Sequence, residues 1–252
     1  MVRAVSRELA VARLQSDFVS AVSHEFRTPL TSLRQLSEML MDRPEMSDDR
    51  RQSYYAALAR QTERLQRLVE SLLDFGRMEA GTSPYREVPL DAATFVTALV
   101  QQFNEDPAAR GHDIRLDCPA DAGTICADHD ALTNALWNLL DNAVKYSPAS
   151  GRVDVTVRAA GATLSIAVRD QGAGIPAGEH REIFGKFVRG ATARAGNVPG
   201  TGLGLAMVRH IAVAHGGGVG VLSAPGQGST FTLTLPLVPA SAAAQEAPCL
   251  ES

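Results

Sequence analysis

A histidine beside a carboxylate is the first pair of residues in this sequence whose types and spacing suit chemistry. His24 precedes Glu25 directly, and Thr28 lies one helical turn after His24. A carboxylate beside an imidazole can orient the ring and draw its proton, which leaves a neutral nitrogen as a nucleophile. Pro29 removes a helical hydrogen bond, so it predicts a bent or loosened turn at this point. A surface histidine without a chemical role fits the same local pattern.

Two asparagines form a second candidate site. Asn138 and Asn142 are four residues apart, so they share one face of a predicted helix, and Lys145 lies on nearly the same face. Amide oxygens at this spacing can hold a hard cation such as Mg²⁺, which keeps its waters and is normally completed by nucleotide phosphates. Lys145 can neutralise phosphate charge. The alternative is a polar helix face whose two amides are incidental.

Two glycine-containing segments form a third candidate site. Asp170 follows a predicted strand and precedes Gly172 and Gly174, an arrangement that suits recognition of an exocyclic amine. The segment Gly200-Thr201-Gly202-Leu203-Gly204-Leu205 opens a helix, where free N–H groups and the positive end of the helix dipole favour phosphates. It lacks the Lys-Ser/Thr ending of a P-loop and no strand enters it, so neither a Walker A loop nor a Rossmann motif fits. A mobile loop is the alternative for each segment.

The first 80 residues must supply the helices that carry His24. A helix over about 48–78 has a heptad seam, and a break at Pro44 and Ser47 separates it from an earlier helix that runs to about Met41. The seam positions are Leu58, Gln61, Leu65, Leu68, Leu72 and Phe75. One hairpin of two helices buries such seams poorly, so we expect two chains to form a four-helix bundle as a homodimer.

The remaining sequence alternates between strand and helix patterns. After a linker over about 80–90, we predict helices over 91–103, 130–146 and 202–215, and strands over 112–118, 124–127, 153–158, 163–169, 219–223 and 230–235. Helices gathered on an antiparallel sheet form an α+β sandwich, which is the fold class expected here. The sequence after Val238 has no period and is predicted to be disordered.

Composition narrows the classes of protein. The formal net charge of −4 over 252 residues argues against a general nucleic-acid binder. No stretch approaches the roughly 20 apolar residues that span a bilayer, so membrane attachment would require a missing upstream segment. Three cysteines without metal-ligand spacing or a disulfide framework favour a reducing cytoplasm. The first helix begins in mid-pattern without a cap, so we expect a fragment of a larger protein, although a short native start fits the same pattern.

Taken together, these segments resemble the sequence boxes of the sensor histidine kinases. Phe18 through Leu30 resembles the H-box, and the N, G1, F and G2 boxes of the Bergerat-type ATPase fold follow in order at Asn138, Asp170, Phe184 and Gly200. The segment 226–231 resembles the closing glycine motif, although a plain hairpin turn fits it as well. The resemblance covers about residues 1–238. Gln171 stands where Asn is more usual, and Phe26 where Leu is common.

The resemblance implies a domain organisation and an activity. It implies a dimerisation and phosphotransfer hairpin over 1–80, a linker over 81–90, an ATP-binding α/β sandwich over 91–238 and a disordered tail over 239–252. It also implies that ATP with Mg²⁺ phosphorylates His24, and that the phosphoryl group passes to an aspartate of a response regulator, with phosphatase activity toward that partner. The partner would dock near Arg34, Gln35 and Glu38.

The resemblance also assigns roles to individual residues. The catalytic residues would be His24, Glu25 and Thr28, and residues 190–200 would form an ATP lid. The nucleotide would be bound by Asn138, Asn142, Lys145, Tyr146, Asp170, Gly172, Gly174, Ile175, Phe187, Arg189, Gly200, Thr201, Gly202, Leu203, Gly204 and Leu205. Of these residues, Asn142 and Asn138 would hold the metal.

Other classes of protein stay open at this stage. An ATP-driven machine of the gyrase or MutL type would lack the phosphoacceptor helix that precedes the nucleotide segments here. A non-catalytic dimerisation and docking module would not need Asn142, Asp170 and the glycine run at 200–204. A protein that acts mainly as a phosphatase of its partner would use Glu25 and Thr28 as well.

Overall fold

The computed structural model describes residues 22–23, 26–42, 45–80, 85–148, 150–191, 193, 198 and 200–239. These residues divide into two compact units. One unit is helical and comprises the described residues up to 80 together with residues 200–203. The other comprises residues 85–198 and 204–239 and contains the strands.

Two helices make up most of the described part of the first unit. Helix α1 covers residues 26–42, and α2 runs from Asp48–Ala80, a length of 33 residues. Two carboxylates in the first turn of α2, Asp48 and Asp49, stabilise the positive end of its dipole. The described seam positions of α2 remain half-buried, at Leu58, Gln61, Leu65, Leu68 and Leu72. The predicted pair of helices is confirmed, and the α2 seam is incompletely covered within one chain.

Seven strands form two sheets in the described part of the second unit. The strands are β1 (Val88–Asp91), β2 (Asp113–Asp117), β3 (Thr124–Ala127), β4 (Arg152–Ala160), β5 (Thr163–Arg169), β6 (Gly218–Ser223) and β7 (Ser229–Pro236). Strands β1 and β3 pair with each other, and the larger sheet has the order β2-β4-β5-β7-β6. All of these neighbours are antiparallel except β2 and β4, which run parallel.

The parallel pair corrects the predicted antiparallel sheet. Parallel neighbours require a crossover connection, and the chain between β2 and β4 supplies one through β3 and helix α4 (His129–Tyr146). The alternation of apolar residues shows which face of a strand is buried but not the direction of its neighbour. The prediction of an α/β sandwich is confirmed, because α4 packs on α5 (Gly204–Ala214) and α3 (Ala92–Glu105) and contacts β4 and β5.

The core lies between the helices and one face of the sheet. Alternate residues of the central strands are buried, at Val153, Val155, Val157, Leu164, Ile166, Val168, Phe231, Leu233 and Leu235. Helix α4 buries Leu132, Leu136, Leu139 and Leu140 against them. At roughly 1.5–3 kcal/mol for each large apolar side chain buried, this face of α4 fixes the helix on the sheet. Its polar face, with Asn138 and Asn142, is thereby held in one orientation.

Capping determines where α4 begins. The N-cap Asp128 has extended backbone angles, and its Oδ1 accepts hydrogen bonds from the N–H groups of Asp130 at 3.1 Å and Ala131 at 2.9 Å. Both donors would otherwise lack a partner in the helix, so the cap stabilises this end by about 1 kcal/mol.

Two further observations complete the fold. Cys118 is a free thiol, whereas Cys126 on β3 is disulfide-bonded, so the expectation of no disulfide is wrong for Cys126. Spacing along the sequence does not reveal which thiols the fold brings together. In the part of the chain that the structure describes, no helix is long and apolar enough to cross a bilayer.

Candidate functional site

The predicted nucleophile His24 and its neighbour Glu25 lie outside the residues that the structure describes. Thr28 lies on α1 with an exposed side chain, and Pro29 beside it is buried. A shallow groove on the surface of α1 combines two apolar with two cationic side chains, and is lined by Ser23, Phe26, Arg27, Leu30, Thr31 and Arg34. Arg34 also pairs with Glu38 at 2.7 Å. This groove can receive an apolar surface that carries negative charge.

The polar face of α4 contacts the start of α5. The Asn138 amide group donates from Nδ2 to the carbonyl of Asn134 at 2.8 Å, which leaves Oδ1 as an acceptor. A Cβ atom built on Gly204, the first residue of α5, would lie only 2.6 Å from that Oδ1. The structure therefore brings together two segments that are far apart in the sequence, and a side chain at position 204 would displace the Asn138 amide.

Lys145 has an ion-pair partner that was not predicted from the sequence. Its Nζ pairs with Oδ2 of Asp141 at 2.5 Å, one turn earlier on α4. Asp141 directly precedes Asn142, so a carboxylate stands beside the candidate metal-binding amide. The spacing of four residues between Asp141 and Lys145 was the signal available in the sequence.

Asp170 is a buried carboxylate at the end of β5, with 3% of its surface exposed. Its Oδ1 accepts hydrogen bonds from the backbone N–H groups of Gly172 at 2.7 Å and Ser229 at 3.1 Å. Burial raises the pKa of Asp170, and these hydrogen bonds oppose the rise. The group is therefore a fixed acceptor in a dry setting, which is what selective recognition of an amine requires.

The glycines after Asp170 allow close backbone contacts on two sides. A Cβ atom on Gly172 would lie 2.4 Å from the carbonyl oxygen of Tyr146, at the end of α4. Gly174 has a φ of +70°, and its Cβ atom would lie 1.9 Å from the carbonyl oxygen of Ala224. Any larger residue would push the loop away from α4 and from the β6–β7 turn. The Asp170 loop and α4 thus form one continuous site.

The segment that resembles the F-box leads to a strained turn. Phe184 is buried and meets Phe231 edge to face, with the ring centroids 6.2 Å apart. Phe187 has a φ of +64°, which is rare for a bulky side chain and marks local strain. Arg189 donates from Nη2 to the carbonyl oxygens of Ala193, at 3.4 Å, and Val198. The structure therefore places the Arg189 guanidinium on the backbone of the predicted lid.

Tyr146 is the last residue of α4, and its hydroxyl is influenced by the charge of the Arg189 guanidinium. Burial raises the pKa of the Tyr146 hydroxyl, while the positive charge of Arg189 lowers it. The hydroxyl is therefore held neutral beside a cation, at the end of α4 that also meets the Asp170 loop.

The glycine run of the G2 segment is divided between the two units. Gly200, Thr201, Gly202 and Leu203 group with the helical unit, whereas Gly204 and Leu205 begin α5 in the other. Within the run, the N–H of Leu203 donates to Oγ1 of Thr201 at 3.3 Å. Gly202 has a φ of +73°, a conformation that favours glycine. Ile175, the remaining predicted binding residue, is half-buried at the end of the Asp170 loop.

The closing glycine motif is a turn that also contacts the buried carboxylate residue. Gly228 has a φ of +74°, and its Cβ atom would lie 2.1 Å from the carbonyl oxygen of Asp170. The serines around this turn are not among the predicted binding residues. Ser229 is buried beside Asp170, and Ser223 is half-buried at the end of β6. Ser229 lies within the segment 226–231 that resembles the closing glycine motif, whereas no signal in the local sequence distinguishes Ser223 from an ordinary strand serine.

Two protein-family models match this chain. The model described as "His Kinase A (phospho-acceptor) domain" matches residues 14–81. The model described as "Histidine kinase-, DNA gyrase B-, and HSP90-like ATPase" matches residues 127–239. The second match contains α4, the Asp170 loop and the β6–β7 turn.

Curated relatives and solved structures agree with these matches. The sensor-like histidine kinase SenX3 of Mycobacterium tuberculosis is 35% identical over 220 residues, which cover 87% of this chain and 53% of that protein. The phosphate regulon sensor protein PhoR of Pseudomonas aeruginosa is 34% identical over 232 residues, covering 92% and 52% respectively. The chain thus spans about half the length of these relatives.

Among solved structures, full-length ShkA in complex with AMPPNP is 30% identical with a TM-score of 0.61, covering 88% of this chain and 46% of that one. The histidine kinase AdeS of Acinetobacter baumannii shares the fold, with a TM-score of 0.60 and 24% identity over 86% of this chain and 98% of that chain.

Proposed function

Since the chain belongs to the sensor histidine kinases and comprises their catalytic core, we propose that it transfers the γ-phosphoryl group of ATP to His24. The observation that carries this proposal is the meeting of three segments in the second unit. Gly172 approaches the end of α4, and Gly204 approaches Asn138 on the same helix. One surface thus combines an amine acceptor, two amide oxygens and the start of a helix, which are the groups an ATP site needs.

The residues on α4 fit a magnesium ion. Asn138 and Asn142 present neutral oxygen donors, and Oδ1 of Asn138 remains an acceptor because Nδ2 is committed to Asn134. A hard cation that keeps several waters suits such a sparse set of ligands. When bound with ATP, it would neutralise phosphate charge. The adjacent Asp141 is not one of the proposed magnesium ligands, because its carboxylate pairs with Lys145.

The protein's own contribution is mainly positioning. Asp170 would accept a hydrogen bond from the adenine amine, while the N-terminus of α5 and Lys145 would face the phosphates. Lys145 must then leave Asp141, so its present ion pair would be exchanged for a phosphate contact. Arg189 would likewise exchange the lid carbonyls for phosphate.

Chemistry would take place at the imidazole of His24. A ring nitrogen of His24 would attack the γ-phosphorus as the bond to the bridging oxygen breaks and ADP leaves. Glu25 would accept the ring proton. An aspartate of a response regulator would then attack the phosphohistidine and release His24. The phosphatase reaction, for which Glu25 and Thr28 would orient water, is also part of the proposal. A relative, MprB of Mycobacterium sp. (strain KMS), is named a histidine-protein kinase/phosphatase.

Two surfaces of the helical unit would serve partners. The groove on α1 between Phe26 and Arg34 has exposed Leu30 and the cation Arg27, which suits an acidic receiver domain. The half-buried seam of α2 would pair with a second copy to complete a four-helix bundle. The proposal also includes the domain limits, with the hairpin over 1–80, the linker over 81–90, the ATP-binding domain over 91–238 and the tail over 239–252. It places the protein in the cytoplasm.

The test is incubation with γ-labelled ATP and magnesium, comparing the parent with His24→Ala and Asn142→Ala. We expect label that is stable to base, labile to acid and absent from both variants. Label that persists in His24→Ala would show that another residue is the acceptor. Label that persists in Asn142→Ala would remove the metal assignment. Bound nucleotide without any label in the parent would favour the phosphatase alternative over the kinase.

A further inference from the structure

The turn between β6 and β7 closes over the loop that follows Asp170. The N–H of Gly226 donates to the carbonyl oxygen of Ala173 at 2.7 Å. The close approach of Gly174 to the carbonyl of Ala224 is the second backbone contact between them. A shift of either backbone would therefore break these contacts between the loop and the turn.

One side chain joins the loop to the turn. Oγ of Ser223, the last residue of β6, accepts a hydrogen bond from the N–H of Ile175 at 2.8 Å. The same hydroxyl donates to the carbonyl oxygen of Gly228 at 2.7 Å. A single hydroxyl thus holds one end of the Asp170 loop and one end of the turn, across 48 residues of sequence.

The Ser223 hydroxyl also reaches Asp170 through one peptide group. The carbonyl of Gly228 and the N–H of Ser229 belong to the same planar unit, so fixing one direction fixes the other. The carbonyl accepts from Ser223, while the N–H donates to Oδ1 of Asp170 at 3.1 Å. The two serines also meet directly, because Oγ of Ser229 lies 3.0 Å from Oγ of Ser223.

We propose that Ser223 is a positioning residue that sets the selectivity of the ATP site for adenine. By orienting the Gly228–Ser229 peptide, it would fix the plane of the Asp170 carboxylate toward an exocyclic amine. By holding the N–H of Ile175, it keeps the loop against that carboxylate. The proposal rests on the proposed function, in which Asp170 binds adenine, and Ser223 itself touches no substrate.

Paired binding measurements test this role. The affinity of the full chain for ATP is compared with its affinity for ITP, whose base carries an oxygen in place of the amine. Loss of one buried hydrogen bond predicts that Ser223→Ala weakens ATP binding by about 3- to 10-fold. Binding of ITP should hardly change, so the ATP/ITP ratio falls by the same factor. Ser223→Thr keeps a hydroxyl at this position and should restore most of the ratio.

Two control variants separate this role from its alternatives. Ser165→Ala removes another strand hydroxyl, which bonds the carbonyl of Arg158 at 3.1 Å on the adjacent strand β4, and should leave the ratio unchanged. Asp170→Ala should abolish the preference for ATP over ITP. A normal ratio in Ser223→Ala, or an equal loss for both nucleotides with a lower Tm, would overturn the positioning role. A normal ratio in Asp170→Ala would instead overturn the adenine assignment within the proposed function.

Discussion

The backbone N–H of Asp128 donates a 3.0 Å hydrogen bond to Nε2 of the buried His215, across 87 residues of sequence. Nδ1 of the same ring lies 2.7 Å from the carbonyl oxygen of Ile211, so that nitrogen carries the proton. His215 therefore joins the end of α5 to the residue that caps α4. Oδ2 of Asp128 accepts from the N–H of Arg86, and the ring of Tyr85 lies tilted against that of His215, with the ring centroids 4.9 Å apart. The chain that enters the second unit thus meets the helix carrying Asn138 at this cluster.

His215→Ala should destabilise the second unit. It leaves the N–H of Asp128 buried without its acceptor, which costs about 1–3 kcal/mol in the free energy of unfolding. Affinity for ATP should fall as well, because α4 begins at Asp128. Chemical denaturation and nucleotide binding measure the two effects. Arg209→Ala, at an exposed position of α5, is the control and should change stability by less than about 0.5 kcal/mol. Equal effects of the two variants would contradict this role.

Asp170 should make stability and ATP binding depend on pH in opposite directions. Burial raises its pKa in the folded protein above the ordinary value of 3.8. The folded state therefore holds a proton more tightly than the unfolded state. The stabilisation that comes from this tighter proton binding is fully present below the pKa of Asp170 in the unfolded chain. It is lost as pH rises through the pKa of Asp170 in the folded protein. ATP binding needs the ionised acceptor, so it should weaken as pH falls through that same folded pKa.

Asp170→Asn isolates this titration. At neutral pH the variant should be at least as stable as the parent, since the burial of an ionised carboxylate is removed, yet it should bind ATP poorly. As pH falls toward 3.8, the parent should gain stability relative to the variant. Urea unfolding at a series of pH values measures the difference. A parent that loses stability relative to Asp170→Asn on acidification would show that the pKa is lowered by folding.

The sequence predicts most of this architecture because its signals are local. The heptads of α2, the shared face of Asn138 and Asn142, and the strand before Asp170 all follow from periods within a few residues. The contacts that complete the site are not local. Ser223 meets Ile175 because β6 joins the sheet beside β7, and His215 meets Asp128 because α5 packs on α4. Strand β2 is a similar case, since its parallel partner β4 depends on the crossover through α4.

Gly204→Ala should separate the two halves of the phosphate site. The added Cβ atom would lie 2.6 Å from Oδ1 of Asn138, so the amide oxygen must move. Displacement of a positioning group by about 1 Å can reduce a rate by about 100-fold, so we expect at least a tenfold loss of autophosphorylation. Gly220→Ala, whose Cβ atom would have no neighbour within 4 Å, is the control and should retain activity. Full activity in Gly204→Ala would show that Asn138 and α5 act independently.

Leu58→Glu should convert the proposed dimer into monomers. Leu58 occupies the heptad seam of α2 and is half-buried within one chain, so a second hairpin would complete its burial. A charge in that interface would remain unpaired, which opposes association. Ala59→Glu introduces the same charge at the next residue, whose side chain is exposed, and should leave the dimer intact. Light scattering coupled to gel filtration gives the mass of each variant. If Leu58→Glu remains dimeric while Ala59→Glu dissociates, the interface lies on the other face of α2.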